Sequence, residues 1–242
     1  MKNLIPKTIH YCWFGHGYKP KLVHKCIDSW KKHCKDYEII EWNESSFNVN
    51  DSIYTAEAYK SKKYAFVSDY VRLYVMYNYG GIYLDTDVEI VRPLDVFLAQ
   101  KAFSGFENEH WISTGIMASE KGIPIIKEFL EYYTNRHFIK PDGSLDLRTN
   151  VKIITEISEA HGFIANNKYQ VIHDFTIYPR DYFCPIDDST GKKHVSENTA
   201  AIHWFTKSWM DPKIVYRSKI TRVFHFVFGV NCFSWIKRIF KI

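Results

Sequence analysis

The stretch YAFVSDYVRLYVMYNYGGIYLDTDVEIV, at positions 64–91, constrains the fold more than any other. Residues 64–79 are mostly apolar and aromatic, which predicts a largely buried helix. Gly80 and Gly81 follow as a helix stop, and the apolar segment 82–84 reads as a short buried strand. A buried helix that leads directly into a buried strand is typical of α/β proteins, so we expect a central sheet covered by helices.

The rest of the chain supplies strands and helices in a similar alternation. Strands predicted at 4–13 and 37–42 enclose a helix predicted at 20–34, which indicates a βαβ unit and a parallel sheet. Further strands are expected at 88–91, 102–106, 112–118 and 200–204, and helices at 123–135 and 151–160. No repeat or low-complexity linker interrupts this pattern, so residues 1–211 are interpreted as one domain.

The positive charge is concentrated at the C-terminal end. The 242 residues carry a formal charge of +5, and residues 212–242 hold seven Lys and Arg and no acidic residue. The remainder has 25 basic residues against 27 acidic ones, which argues against a nucleic-acid-binding body. The five cysteines include no CxxC pair, and the N-terminus shows no secretory signal, so a reduced, cytoplasmic protein is expected.

Asp85 and Asp87 are the first candidates for chemistry. In an extended backbone, residues two apart point to the same side, and a divalent cation would relieve their repulsion. A solvated turn is the commoner meaning of such a short motif, but this pair follows a buried strand, where open α/β sheets bind ligands. Asp69 and Arg72 share a face of the preceding helix, in a segment too apolar for an ordinary surface ion pair.

The spacing of these residues resembles the sugar-binding DXD region of glycosyltransferase family 32. That family includes capsular polysaccharide transferases and outer-chain mannosyltransferases and is similar to the glucosylating domains of large cytotoxins. The segments IPKTIHYCWFG near the start and AIHWFTKSW near the end also resemble the family. The likeness covers residues 4–91 well and 200–209 moderately. The residues that carry the central pattern are Ser68, Asp69, Arg72, Gly80, Gly81, Tyr83, Asp85 and Asp87.

The resemblance implies a nucleotide-sugar transferase fold of the GT-A type, with a central mixed, mostly parallel sheet flanked by helices. It implies that Asp87 is a direct metal ligand and that Asp85 is shared between the metal and the donor. His203 would be a further metal ligand or a diphosphate contact. Carboxylates with one imidazole suit Mn²⁺, with Mg²⁺ as the alternative.

The remaining donor contacts are also implied by the resemblance. Asp69 and Arg72 would hold the donor sugar, with Arg72 also near the diphosphate and supported by Lys207. Trp13 would stack on the base, although a core tryptophan is the commoner meaning of such a residue. Ser208 and Trp209 would close over the phosphates. The segment 110–118 is interpreted either as a pocket lining, through Ser113, Thr114 and Gly115, or as a plain turn.

The expected reaction transfers a hexose from a UDP-galactose- or UDP-glucose-type donor to a saccharide acceptor, with retention of the anomeric configuration. The acceptor expected from the resemblance is a lipid-linked oligosaccharide of capsular or surface polysaccharide synthesis. The apolar run at 224–236 is too short and interrupted for a membrane span, which needs roughly 20 apolar residues. Residues 212–242 instead predict a basic amphipathic helix at the inner face of the cell membrane, or alternatively a helix packed on the core.

Two other functions fit parts of the sequence. A haloacid-dehalogenase-type phosphatase also carries DxDx[TV], which residues 85–88 match, and Asp187 and Asp188 resemble its late acidic pair. That family has the motif on its first strand, whereas here two predicted strands precede it. A membrane-associated carbohydrate-binding module without catalysis is the other alternative. Metal-dependent release of nucleoside diphosphate would separate these functions.

Overall fold

A computed structural model describes residues 4–207 and 210–233. Nine strands and six helices alternate along this part of the chain. The strands are β1 (Thr8–Cys12), β2 (Glu38–Trp42), β3 (Gly81–Leu84), β4 (Val88–Ile90), β5 (Ala102–Gly105), β6 (Ile116–Ser119), β7 (Gln170–Ile172), β8 (Phe175–Tyr178) and β9 (Ala201–His203). The helices are α1 (Lys21–His33), α2 (Ile53–Lys60), α3 (Tyr64–Tyr79), α4 (Pro124–Glu131), α5 (Asn150–Ala160) and α6 (Pro212–Phe228).

Seven strands form the central sheet, in the order β2-β1-β3-β6-β5-β8-β7. Strands β1, β2, β3, β5 and β8 run in one direction, and β6 and β7 run against them. The expected α/β class, with a mixed and mostly parallel sheet between helices, is therefore confirmed. The β1–α1–β2 unit is parallel, as its sequence predicted.

Alternating side chains divide the core between the two faces of this sheet. On β3, Tyr83 packs with the side chains of α2, α3, α4 and α5, whereas its neighbours Ile82 and Leu84 point to the other face. There they meet α1, through Cys26 and Trp30, and a separate two-stranded sheet formed by β4 and β9. The buried strand predicted at 82–84 thus contributes to two cores, because helices or strands cover both faces of the sheet.

Gly80 and Gly81 connect α3 to β3 through a backbone that few other residues adopt. Their φ angles are +72° and +105°, in the left-handed region where glycine pays no steric penalty. A Cβ on Gly81 would lie 2.7 Å from the carbonyl oxygen of Thr8 and 3.0 Å from the His10 ring. The two glycines therefore do more than stop a helix, because they let β3 lie directly against β1.

Most of the predicted helices and strands are present, although their ends are shifted. Helix α3 has the predicted bounds, whereas the strand predicted at 112–118 begins only at Ile116. Helix α2 was not predicted, and it covers the same face of the sheet as α3.

Candidate active site

The DXD residues lie on a tight turn between β3 and β4. The Val88 N–H donates to the Asp85 carbonyl oxygen at 3.0 Å, and Thr86 and Asp87 form the turn. The expectation of an extended backbone at this point is therefore wrong. The two carboxylates nevertheless face one site, because the turn reverses the chain around them and His203 completes the group.

Pairing of β4 with β9 brings His203 to Asp87. Val88 lies opposite His203 in this antiparallel pair, and the Trp204 N–H donates to the Asp87 carbonyl oxygen at 3.0 Å. The His203 Nε2 atom is 3.3 Å from Asp87 Oδ1. Ligand atoms of Asp85, Asp87 and His203 all lie within 4.8 Å of one another, which is close enough for one cation to contact all three.

The environment of Asp87 keeps it ionised. Its Oδ2 accepts hydrogen bonds from the Thr206 N–H at 2.8 Å and from the Thr206 hydroxyl at 2.7 Å. Burial alone would raise the pKa of Asp87, but His203 and Thr206 outweigh it and hold that pKa below its usual range. Burial would lower the pKa of His203, and Asp87 instead raises it well above its usual value. Without a metal, the two groups therefore form an ion pair.

Asp85 is held from the opposite side by α3. Arg72 Nη2 is 2.9 Å from Asp69 Oδ1 and 3.2 Å from Asp85 Oδ1, and Arg72 Nη1 donates to the Thr114 carbonyl oxygen at 2.5 Å. The Tyr83 hydroxyl donates to Asp85 Oδ1 at 3.1 Å, and the Tyr83 ring lies 4.6 Å from the guanidinium. Arg72 thus fixes Asp85 in place and leaves only 5% of its own side chain exposed.

The Asp69 carboxyl is buried, and its pKa lies above its usual range. Burial, followed by the effect of Asp85, raises its pKa to about 6, although Arg72 opposes the change. The predicted Asp69–Arg72 pair therefore exists and is buried, as its apolar helix indicated. Asn150, at the start of α5, donates to the Asp69 carbonyl oxygen at 2.9 Å and secures α3 at this point.

Gly115 leaves room for the three candidate ligands. The Asp85 N–H donates to the Gly115 carbonyl oxygen at 2.7 Å, which places the glycine beside the DXD turn. A Cβ at this position would lie 3.0 Å from the His203 ring and 3.4 Å from Asp85 Oδ2. Thr114 lines the cavity and Gly115 lies beside the candidate ligands, which fits one of the two roles that the sequence left open, whereas Ser113 is fully buried.

These groups surround a cavity of about 780 Å³. Trp13 lies in the loop after β1 and donates its indole N–H to the Gly17 carbonyl oxygen at 2.8 Å. Lys207 lines the same cavity and forms an ion pair with Asp188 at 2.8 Å. Among the predicted site residues, Ser208 and Trp209 lie outside the described part of the chain. The cavity has the size of an ordinary small-molecule site.

Two residues of the site were missed from the sequence. Thr206 lies in the recognised segment AIHWFTKSW, but its role depends on the pairing of β4 with β9, which no local pattern reveals. Glu107 lines the cavity from the turn after β5, and an acidic residue in such a turn normally indicates a solvated surface. Burial raises the pKa of Glu107 to about 7.

The donor set fits a small divalent cation. Two carboxylates and an imidazole are hard and intermediate ligands of the kind that Mn²⁺ and Mg²⁺ sites use. The lack of a side chain at Gly115 keeps the space between them free. Asp85, Asp87 and His203 would hold the ion, and Thr206 and Arg72 would orient the two carboxylates from behind.

Comparisons with known proteins find similarity to glycosyltransferases. Residues 20–104 match the family described as "Glycosyltransferase sugar-binding region containing DXD motif". Inositol phosphoceramide mannosyltransferase 3 of Schizosaccharomyces pombe is 33% identical over 145 residues, which are 55% of this chain and 40% of that protein. Mannosyl phosphorylinositol ceramide synthase CSH1 of Saccharomyces cerevisiae is 29% identical over 144 residues, 55% of this chain and 37% of that protein.

Among solved structures, a glycosyltransferase involved in the glycosylation of the major capsid of PBCV-1 has a TM-score of 0.49 and 12% identity. The match covers 88% of this chain and 99% of that one. The chain spans about two fifths of the length of the curated relatives described above. The sequence matches confirm the resemblance to family 32 that the segment at 64–91 indicated.

Proposed function

We propose that this protein is a metal-dependent glycosyltransferase that moves a hexose from a nucleoside diphosphate sugar to a saccharide acceptor with retention of configuration. One observation carries the proposal: Asp85, Asp87 and His203 converge within 4.8 Å in a cavity that the Asp69–Arg72 pair also lines. A phosphatase of the haloacid-dehalogenase type is not favoured, because the DXD turn follows the third strand and Asp188 is paired with Lys207.

The leaving group determines what the site must do. As the bond between the anomeric carbon and the phosphate breaks, negative charge develops on the diphosphate. A divalent ion supplies Lewis-acid stabilisation of that charge. Asp87 and Asp85 would hold the ion through their carboxylates, and Lys207, which lines the same cavity, would add a positive charge. Asp69 and Arg72 line the cavity wall and are assigned to the donor sugar.

We assign a front-face mechanism to the transfer. The acceptor hydroxyl attacks the anomeric carbon from the side on which the diphosphate leaves, and its proton passes to a phosphate oxygen. One carbon–oxygen bond breaks and another forms on the same face, so the configuration is retained. An inverted product, detected by NMR of the anomeric proton, would contradict this mechanism.

The donor is assigned as a UDP-hexose, with Trp13 stacked on the base. The yeast relatives are mannosyl-transferring enzymes by name, so a guanosine diphosphate mannose donor is the matched alternative. Release of nucleoside diphosphate from UDP-glucose, UDP-galactose and GDP-mannose, each with and without Mn²⁺, tests the function and the donor together. Release that needs both a sugar donor and the metal is expected. A lack of metal-dependent release from all three would contradict the proposal.

Helix α6 is assigned to the surface of an anionic bilayer, at the inner face of the cell membrane. No helix in the described ranges is long and apolar enough to cross a membrane. Arg222 donates to the Asp187 carbonyl oxygen at 3.3 Å and ties the helix to the domain. The large hydrophobic side chains that are exposed by 44% or more on this helix are Ile214, Tyr216, Ile220, Val223, Phe224, Phe226, Val227 and Phe228.

Basic residues accompany these apolar side chains, and no acidic residue follows Asp211. The apolar residues are not confined to one face, so the helix is less amphipathic than expected. Apolar side chains would enter the lipid interface while Lys and Arg meet anionic headgroups. The protein should float with phosphatidylglycerol vesicles, and a chain that ends at Asp211 should not. Recovery of both forms in the soluble fraction would contradict the assignment.

A further inference from the structure

The turn after β5 carries the one acidic residue of the cavity that lacks a partner within the described ranges. Five acidic residues line the cavity, and the carboxylates of four of them are engaged. These four are Asp69 and Asp85 with Arg72, Asp87 with His203 and Thr206, and Asp188 with Lys207. The Glu107 carboxylate makes no hydrogen bond or ion pair with a described residue, although burial raises its pKa to about 7. A desolvated carboxylate without a partner is costly, so its retention needs a reason.

The turn that holds Glu107 is rigid. Phe106 and Ile112 are fully buried and form a β-bridge at its base, and the Glu107 N–H donates to the Trp111 carbonyl oxygen at 2.8 Å. The side-chain oxygen of Asn108 accepts from the His110 and Trp111 N–H groups at 2.8 and 3.1 Å. The backbone position of Glu107 is therefore set before any ligand arrives.

Trp111 brings an aromatic ring to the same turn and the same cavity. The indole lines the same cavity, is only partly buried, and has no ring or hydrogen-bond partner for its side chain in the described structure. An aromatic face packs well against the C–H groups of a sugar ring, and a carboxylate accepts hydrogen bonds from its hydroxyls. The pair therefore has the chemistry of a saccharide subsite.

The order of strands shows on which side of the metal ligands this pair lies. Strands β1, β3 and β5 run in the same direction, and the sheet order is β1-β3-β6-β5 in this region. Trp13 follows β1, Asp85 follows β3, and Glu107 comes just after β5, so all three lie along one edge of the sheet. The DXD turn is in the middle, with Trp13 and Glu107 on opposite sides of it.

An unpaired carboxylate at this end also discriminates between substrates by charge. It disfavours the diphosphate of the donor and suits a neutral ring with several hydroxyl groups. With the base at Trp13 and the diphosphate at the DXD turn, the end of the cavity at Glu107 is left for the second sugar.

We propose that Glu107 and Trp111 form the subsite for the acceptor saccharide, with the Glu107 carboxylate receiving hydrogen bonds from its hydroxyls and the Trp111 ring packing on its face. This assignment rests on the proposed glycosyltransferase function. Glu107 is a specificity residue in this account, and the proton of the attacking hydroxyl still passes to the leaving phosphate.

The test separates binding of the acceptor from handling of the donor. Saturation-transfer NMR is recorded for the methyl glycosides of glucose, galactose and mannose, with the nucleoside diphosphate and Mg²⁺ present. Glu107→Gln keeps the size of the side chain but replaces one acceptor oxygen by a donor. Glu109→Gln is the matched control, because Glu109 lies in the same turn and is exposed. Trp111→Ala is a second variant, and circular dichroism checks that each protein is folded.

At least one glycoside should bind both the wild type and Glu109→Gln. The substitutions Glu107→Gln and Trp111→Ala should each weaken that binding by about 10- to 100-fold. In turnover assays of Glu107→Gln and Trp111→Ala, the acceptor KM should rise by a similar factor, and the donor KM should stay within about twofold of the wild-type value. Failure to bind any glycoside, equal binding in wild type and Glu107→Gln, or a rise in the donor KM alone would overturn the subsite. Absence of metal-dependent donor cleavage in the wild type would instead contradict the proposed function.

Discussion

The cavity and helix α6 differ in which kinds of side chain they bury and expose. In the cavity, charged groups are buried and most of them are paired, as Arg72 is with Asp69 and Asp85. On α6, apolar groups such as Val223 and Phe228 are more than 60% exposed, with basic residues between them. Buried charge and exposed apolar surface are both costly, so each indicates a ligand or partner. The cavity suits a small charged ligand, and the helix suits an extended anionic and apolar surface.

The largest effect is expected from Asp87→Asn. The amide keeps an oxygen for the hydrogen bonds from Thr206 but removes the charge that binds a cation and pairs with His203. Loss of about 4 kcal/mol of metal-dependent stabilisation corresponds to about a 10³-fold lower rate of donor cleavage. The rate of nucleoside diphosphate release measures it. The same assay on Asp174→Asn, a half-exposed residue that pairs with Lys101 outside the cavity, should give the wild-type rate. Activity of Asp87→Asn within tenfold of the wild type would contradict the assignment of Asp87 as a ligand.

Replacement of Arg72 by Met should have the largest effect on stability. It would leave Asp69 and Asp85 without their shared cation in a buried site, which costs about 3–5 kcal/mol of unfolding free energy. Lys127→Met removes an exposed i,i+4 partner of Glu131 and should cost no more than about 0.5 kcal/mol. Urea unfolding of both variants measures the difference. Equal losses would show that the cavity charges are no more coupled to the fold than surface pairs are.

Reversal of two charges on α6 should weaken membrane binding without changing donor cleavage. Lys213→Glu with Lys219→Glu removes about 1 kcal/mol of attraction per residue and adds repulsion, so binding to phosphatidylglycerol vesicles should fall by at least about 30-fold. The difference should shrink at high salt, where the charges are screened. The reversal of Lys31 and Lys35, which lie on and just after α1, is the matched control. Equal flotation of both double variants would exclude a specific role for the charges of α6.

The smallest effect concerns His10, which supports the glycine connection. Its Nε2 donates to the Gly80 carbonyl oxygen at 2.9 Å, and its Nδ1 accepts from Trp42 Nε1 at 3.1 Å. Burial lowers the pKa of His10 in the folded protein, although the bond to Gly80 opposes this. The unfolded chain therefore binds more protons below about pH 6.5, and stability is lost as the pH falls below that value, by at most about 1.4 kcal/mol per pH unit. Unfolding free energies at pH 7.5 and 5.5 should differ less in His10→Gln than in the wild type. The same difference in both proteins would contradict this role.

The sequence predicted those parts of the fold and site that local patterns specify. Helix α3, the glycines and the DXD pair are continuous in the chain, so periodicity and spacing were enough to place them. Thr206 reaches Asp87 across 119 positions through the β4–β9 pairing, which no short motif reports. The turn at Thr86 also escaped prediction. The sequence on both sides of it is typical of a strand, and only the hydrogen bond from the Val88 N–H to the Asp85 carbonyl oxygen reveals the turn.

Calorimetric titration of the nucleotide sugar tests the central claim most directly. Wild-type protein should bind the donor that it cleaves only when Mn²⁺ is present, and Asp87→Asn should show no such dependence. Thr206→Val, which loses one of the two hydrogen bonds to Asp87, should lie between them, with metal affinity lowered by about 10-fold. Donor binding of equal strength with and without Mn²⁺ in the wild type would contradict the account.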